Sequence, residues 1–305
     1  FTAQTPSQIA AVQTAQTTTA ASSSSGGTIT LVASSSVTAT PTATMTANAT
    51  TAPVPASTDN AQLSGAGGTI NITAPQVTTQ TNSLLQANGN NGPGGNFNLQ
   101  ATQLSIAGSV QAMGNTGGTI TAVANTSNIS AGASLQANGN NGPGGAITLQ
   151  TTQNQIINNA TVQANGTSHG GNIQMSTTQG DINLQSALIQ TNGAAGRGGQ
   201  IAIAATNYTS IESSTVEASG YTQGGTIKVG NDAQNLVLPF SIFTNLDANS
   251  ILNASQTNQL NTTNGGYIET SGQTINLLSS INAGRGGMWL LDPGDLTVAA
   301  SSGSY

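Results

Sequence analysis

Few groups in this sequence are able to do acid–base chemistry. It holds one His, three Lys+Arg and nine Asp+Glu. Cleavage of a sugar chain needs clustered carboxylates, with Ca²⁺ ligands or basic side chains beside them. Asp181, Glu212, Glu217 and Asp232 fall within a few repeats of one another, and Arg197 and Lys228 are the neighbouring cations. Glu212 and Glu217 sit too close in sequence to occupy one position of successive repeats, so they do not stack into a pair. His169 lies in Thr-Ser-His-Gly-Gly, which reads as a solvated corner. No Gly-Lys-Ser/Thr phosphate loop, Gly-x-Ser-x-Gly elbow or acidic Ca²⁺-binding nonapeptide repeat occurs. Cysteine is absent, which excludes thiolate metal sites and disulfides. The expectation is a chain with no catalytic residue, no cofactor and no metal site.

The elements that would have to position these groups are of an unusual kind. Charged residues make up 4% of the 305, against about 25% in ordinary soluble domains. A nucleic-acid binder needs a basic face to meet phosphates, and a net charge of −6 with three cations excludes one. No apolar run is long enough for a membrane-spanning helix, so no membrane insertion is expected. Aromatics stand at 3% and Gly at 38 residues, so large side chains cannot build a conventional core. Order has to come from backbone ladders and thin apolar stacks.

A repeat supplies both. Gly-Gly pairs recur from Gly26-Gly27 to Gly286-Gly287, and seven of the nine spacings fall between 21 and 28 residues. Period-2 alternation follows each pair, as in Gly67-Gly-Thr-Ile-Asn-Ile72 and Gly198-Gly-Gln-Ile-Ala-Ile203. A second signature precedes it, as in Leu85-Gln-Ala-Asn-Gly89 and Ile189-Gln-Thr-Asn-Gly193, and a third apolar position lies between, at Leu104/Ile106, Ile129, Ile156 and Ile182/Leu184. Alternation means strands and Gly-rich punctuation means turns. Three short strands per coil of about 21–28 residues describe an all-β, right-handed parallel β-helix, a solenoid in which each strand pairs with its counterpart one coil on. The inward ladder is predicted to hold Ile70/Ile72, Phe97/Leu99, Ile147/Leu149, Ile173/Met175, Ile201/Ile203, Ile227/Val229 and Ile268.

Residues 1–62 carry a single Gly pair in a low-complexity Thr/Ser/Ala-rich run, read as an arm or as irregular first coils. Residues 63–230 are the regular coils. The 41-residue interval between Gly225 and Gly266 contains the most apolar stretch of the chain, so residues 231–249 are read as an excursion from the solenoid. Pro239 there is unsuited to a central strand. Phe240 and Phe243 either pack on the solenoid flank or offer an apolar contact to a partner protein. Residues 250–305 are the terminal coils.

Those coils carry Gly265-Gly266-Tyr267-Ile268-Glu269-Thr270-Ser271-Gly272 and then Gly284-Arg-Gly-Gly-Met-Trp289-Leu290-Leu291-Asp292-Pro293. The pair of motifs resembles the pattern found in large two-partner-secretion exoproteins, the filamentous-haemagglutinin and high-molecular-weight adhesin family of Gram-negative bacteria. The resemblance covers about 30 residues densely, and the upstream Gly-Gly coils more loosely. It implies a right-handed β-helix, export through an outer-membrane transporter partner, and a place outside the outer membrane as a secreted or cell-surface adhesin or fibre. The family's amino-terminal Asn-Pro-Asn-Gly-type signature is missing from this sequence, which marks the chain as an inner or carboxy-proximal segment. The motif is structural, so the resemblance carries no catalytic residue across.

Physically, Trp289, Leu290 and Leu291 read as a bulky apolar terminating rung, Asp292-Pro293-Gly294 as a turn, and Arg285 as an ion-pair partner for Asp292 or Glu269. The function expected is non-catalytic: a β-helical rod that builds or projects an extracellular fibre. Its expected partners are copies of itself stacked head to tail and glycans or proteins of a host or neighbouring surface. A carbohydrate-active β-helix enzyme and an ice- or surface-binding ladder are the alternatives.

Overall fold

The computed structural model describes residues 10–14, 25–49, 65–230, 240–258 and 263–294. They form the expected all-β parallel solenoid, with no helix among them. Parallel crossovers within one sheet are right-handed in about 98% of cases. Each coil contributes to three faces. The first face runs from Thr28–Val32 to Met288–Pro293, and the second from Ser36–Ala39 to Thr274–Leu277. The third is a nine-stranded sheet of three-residue strands from Thr44–Thr46 to Ser280–Asn282. At about 4.8 Å per strand, that sheet stacks to roughly 40 Å.

In three coils a single 11-residue strand (Thr69–Thr79, Asn96–Ile106, Thr119–Ile129) runs through the first and second faces. Later coils break at that corner, as between Ala146–Thr151 and Gln155–Asn158.

The core is a set of columns one residue wide. Ile70 pairs with Phe97, Phe97 with Ile120, Ile120 with Ile147, and the register continues through Ile173, Ile201 and Ile227 to Ile268. Every inward residue predicted from the sequence is buried, at 0–1% exposure. Burying each Ile, Leu, Val or Phe contributes about 1.5–3 kcal/mol, so many thin columns replace one thick core. The third face adds Leu85, Val110, Leu135, Val162, Ile189, Val216 and Leu252, all buried.

One residue of the third apolar position does not join the core. Ile156 points outward at 41% exposure, while its neighbours Gln155 and Ile157 are fully buried. Two adjacent isoleucines leave the alternation ambiguous by one residue, and a slip of one exchanges the faces.

The Gly pairs mark the corner between the third and first faces. They are required by close approach of backbones: a Cβ on Gly95 would run into the carbonyl oxygen of Gly68 in the preceding coil. Left-handed backbone recurs at a different corner, between the second and third faces, where Thr42 (φ 65°), Asn82 (67°), Gly132 (84°), Asn159 (48°), Ser186 (50°) and Ser213 (48°) take the same place in six of the coils, and it appears at the Gly-pair corner at Asn91 (53°), Gly284 (78°) and Gly286 (73°).

Two regions fall partly inside the solenoid. Within 1–62, residues 28–46 supply one strand to each face, and Ala10–Thr14 pairs antiparallel with Thr28–Val32 along the outer edge of that rung. Within 231–249, Phe243–Leu246 is an in-register rung of the second face, between Tyr208–Glu212 and Thr274–Leu277. Residues 231–239, with Asp232 and Pro239, lie outside the described residues, as do 295–305.

Candidate functional site

The Glu-Thr-Ser-Gly and Trp-Leu-Leu-Asp-Pro motifs become adjacent rungs of the first face. Gly265 and Gly266 turn the chain into the strand Tyr267–Gly272, and Gly286-Gly287 turns it into Met288–Pro293. The two pair in parallel from Tyr267↔Met288 to Gly272↔Pro293. Glu269 faces outward yet is 0% exposed. Its carboxylate accepts from Tyr267 Oη at 3.0 Å and Ser271 Oγ at 3.1 Å, and lies 4.0 Å from Lys228 Nζ of the preceding coil. Lys228 is thus a cation beside that carboxylate, a pairing not foreseen from the sequence. A buried charge needs such partners, since leaving it unpaired costs several kcal/mol.

The inward-facing Thr270 links the two motifs: Trp289 Nε1 donates to its Oγ1 at 3.0 Å. Trp289 follows Ile227 and Ile268 in one core column, and Leu291 follows Val229 and Thr270 in the next. Although they occupy core columns, Trp289 is 45% exposed and Leu291 39%. Asp292 and Pro293 end the strand instead of forming a turn, and Gly294 N still donates to Gly272 O at 2.9 Å.

Phe243 is half-buried and sits edge-to-face on Tyr208, with ring centroids 5.9 Å apart. Phe240 and Ile242 are exposed beside it. Together they form an outward apolar patch on the second face.

The carboxylates considered for catalysis are held in separate networks. Asp181 Oδ1 accepts from the Tyr208 amide, and Glu212 Oε1 from Ser210 Oγ at 2.9 Å. Glu217 belongs to a ladder that the sequence reading overlooked. Gln86, Gln111, Gln136, Gln163 and Gln190 each donate a side-chain amide to the next, at 2.7–3.3 Å, and Gln190 donates to Glu217 Oε2 at 2.8 Å. From the other side the direction reverses: Asn282 donates to Asn253, and Asn253 donates to Glu217 Oε1 at 3.1 Å. A carboxylate only accepts, so Glu217 is where two opposed donor chains converge. Burial raises its pKa, but hydrogen bonds from Asn192, Gln190, Ser219 and Asn253 outweigh it and hold the carboxyl below its ordinary value of 4.5.

The recurrence of Gln two residues before Asn-Gly was the available signal for this ladder. An asparagine ladder runs beside it, in which Asn138, Asn165 and Asn192 Oδ1 accept the amides of Asn165, Asn192 and Ser219. His169 is exposed at its corner and contacts the Ser168 carbonyl. Among the described residues no three His, Cys, Asp or Glu are grouped to hold a metal ion.

No protein-family model matches the sequence, and no curated protein matches it. Among solved structures, the crystal structure of the HMW1 secretion domain from Haemophilus influenzae aligns with 93% of this chain and 99% of its own, at 12% identity and a TM-score of 0.31.

Proposed function

We propose that the chain is a non-catalytic structural rod of the two-partner-secretion exoprotein kind, one that builds or projects a fibre outside the outer membrane of a Gram-negative bacterium. The observation that carries this reading is the parallel solenoid itself, whose last two described rungs pair the Glu-Thr-Ser-Gly and Trp-Leu-Leu-Asp-Pro motifs strand on strand. The terminal rung of a parallel solenoid is a template for a further strand wherever nothing covers it. The resemblance of the paired motifs supports the class of protein and its export through an outer-membrane transporter. The polar ladders support a passive role, because they spend side-chain donors and acceptors on one another. In this reading copies add end to end, and a heterologous contact that does not close produces a filament. The strand Ala10–Thr14 would have to yield its place on the first rung for that contact to form.

Electron microscopy of the purified full chain over a range of concentrations tests the proposal, together with Trp289→Lys/Leu291→Lys. Fibres that lengthen with concentration and are lost in the double variant are expected. Discrete short rods at every concentration would overturn the fibre-building role. Adhesion is tested separately, by binding of chain-coated beads to cell-surface glycans and matrix proteins.

A further inference from the structure

Ser127 and Gln155 are neighbours in one inward column of the second face, paired across adjacent coils. The same column holds Val77 and Leu104 before them and Ile182 after them, all buried. Gln155 is 0% exposed and Ser127 5%, and neither Ser127 Oγ nor either polar atom of the Gln155 amide has a protein hydrogen-bond partner. A buried polar group without a partner is disfavoured, and native interiors satisfy such groups with protein or with ordered water.

We infer that the Ser127–Gln155 step of the solenoid core is an internal hydration site that holds ordered water. The chemistry of the donor set selects the ligand. The Gln155 amide offers two donors and an acceptor, and the Ser127 hydroxyl offers one donor and further acceptor capacity. A metal cation satisfies only acceptors and an anion only donors, and either would be an unpaired charge in a neutral, apolar surrounding. Water satisfies both. A direct Ser127–Gln155 bond would satisfy one end of the amide and leave the other unmet. Ser127 has two heavy atoms fewer than Leu104 on the rung before it and Gln155 one more than Ile182 on the rung after it, so the pair fills the column with one heavy atom less than two aliphatic residues would. The Ile156/Ile157 offset is part of the same feature, because the register that turns Ile156 outward turns Gln155 in.

A crystal structure of the full chain that resolves ordered solvent is the first test. A density peak within hydrogen-bonding distance of Ser127 Oγ and of a Gln155 amide atom is expected. In solution, magnetisation transfer from long-lived water to the Gln155 side-chain amide protons is expected, the signals being assigned by their loss in Gln155→Leu. A dry site with no transfer, or a Gln155 amide fully bonded to protein atoms, would overturn the inference.

Discussion

Glu217 shows how much a single acceptor decides in a ladder of amides. Replacing it with Gln turns one of its two oxygens into a donor that meets the Asn253 amide head-on, so one hydrogen bond is lost or the lower chain must flip. Glu217→Gln is expected to lower stability at neutral pH by about 1 kcal/mol. The pH dependence has a definite sign. Because the folded carboxyl titrates below its ordinary value of 4.5, the unfolded chain binds more protons there; the contribution is fully present above that value and is lost as pH falls through the lower folded pKa. Thermal melts between pH 7 and pH 3 should therefore show a shallower acid loss for Glu217→Gln than for the parent. Thr191 is the converse case. Its column holds Ala87, Ala112, Ala137, Ala164, Ala218 and Ala254, and its buried hydroxyl has no partner. Thr191→Val keeps the shape, removes the orphan and should raise stability by about 1 kcal/mol in a denaturant melt.

At the scale of the coil, two glycines at different corners separate two physical requirements. Gly132 has φ 84° and open space around a Cβ, so Gly132→Ala is expected to cost only the left-handed strain of about 1–2 kcal/mol. Gly95 has an ordinary φ but no room, so Gly95→Ala must push two backbones apart and should cost about 3 kcal/mol or more. Urea melts of the two variants check the order. The repeat made most of the fold legible: Gly pairs set the period, and alternation after each pair placed Ile70, Ile147 and Ile201 in the core. Where alternation broke down, legibility did too. Gln155-Ile156-Ile157 satisfies either phase, and only pairing with Ser127 and Ile129 settles it. The strand Ala10–Thr14 lies in low-complexity sequence with no phase to read. Glu269 and Lys228 belong to successive rungs of one face, a proximity that register creates and sequence distance hides. The terminal motif was visible as residues, whereas its Thr270–Trp289 link required the two rungs to be superposed.

For the whole molecule, each coil touches only its neighbours, so cooperativity passes along one dimension and the ends are the weak points. Trp289 is the single tryptophan and lies in the last described rung. Its fluorescence should report unfolding at a lower temperature than far-ultraviolet circular dichroism of the whole chain; coincident transitions would show that the terminal rung melts with the rest. The same nearest-neighbour logic bears on how such a chain changes over generations. Residues 85–100 and 135–150 are nearly identical, begin 50 residues apart, and start with Leu85 and Leu135 of one column, separated in it only by Val110. Unequal crossing-over between the DNA stretches that encode them would remove or duplicate two whole coils and leave every face in phase. Length is thus a trait that this gene can vary in whole-coil steps without first inventing a new fold.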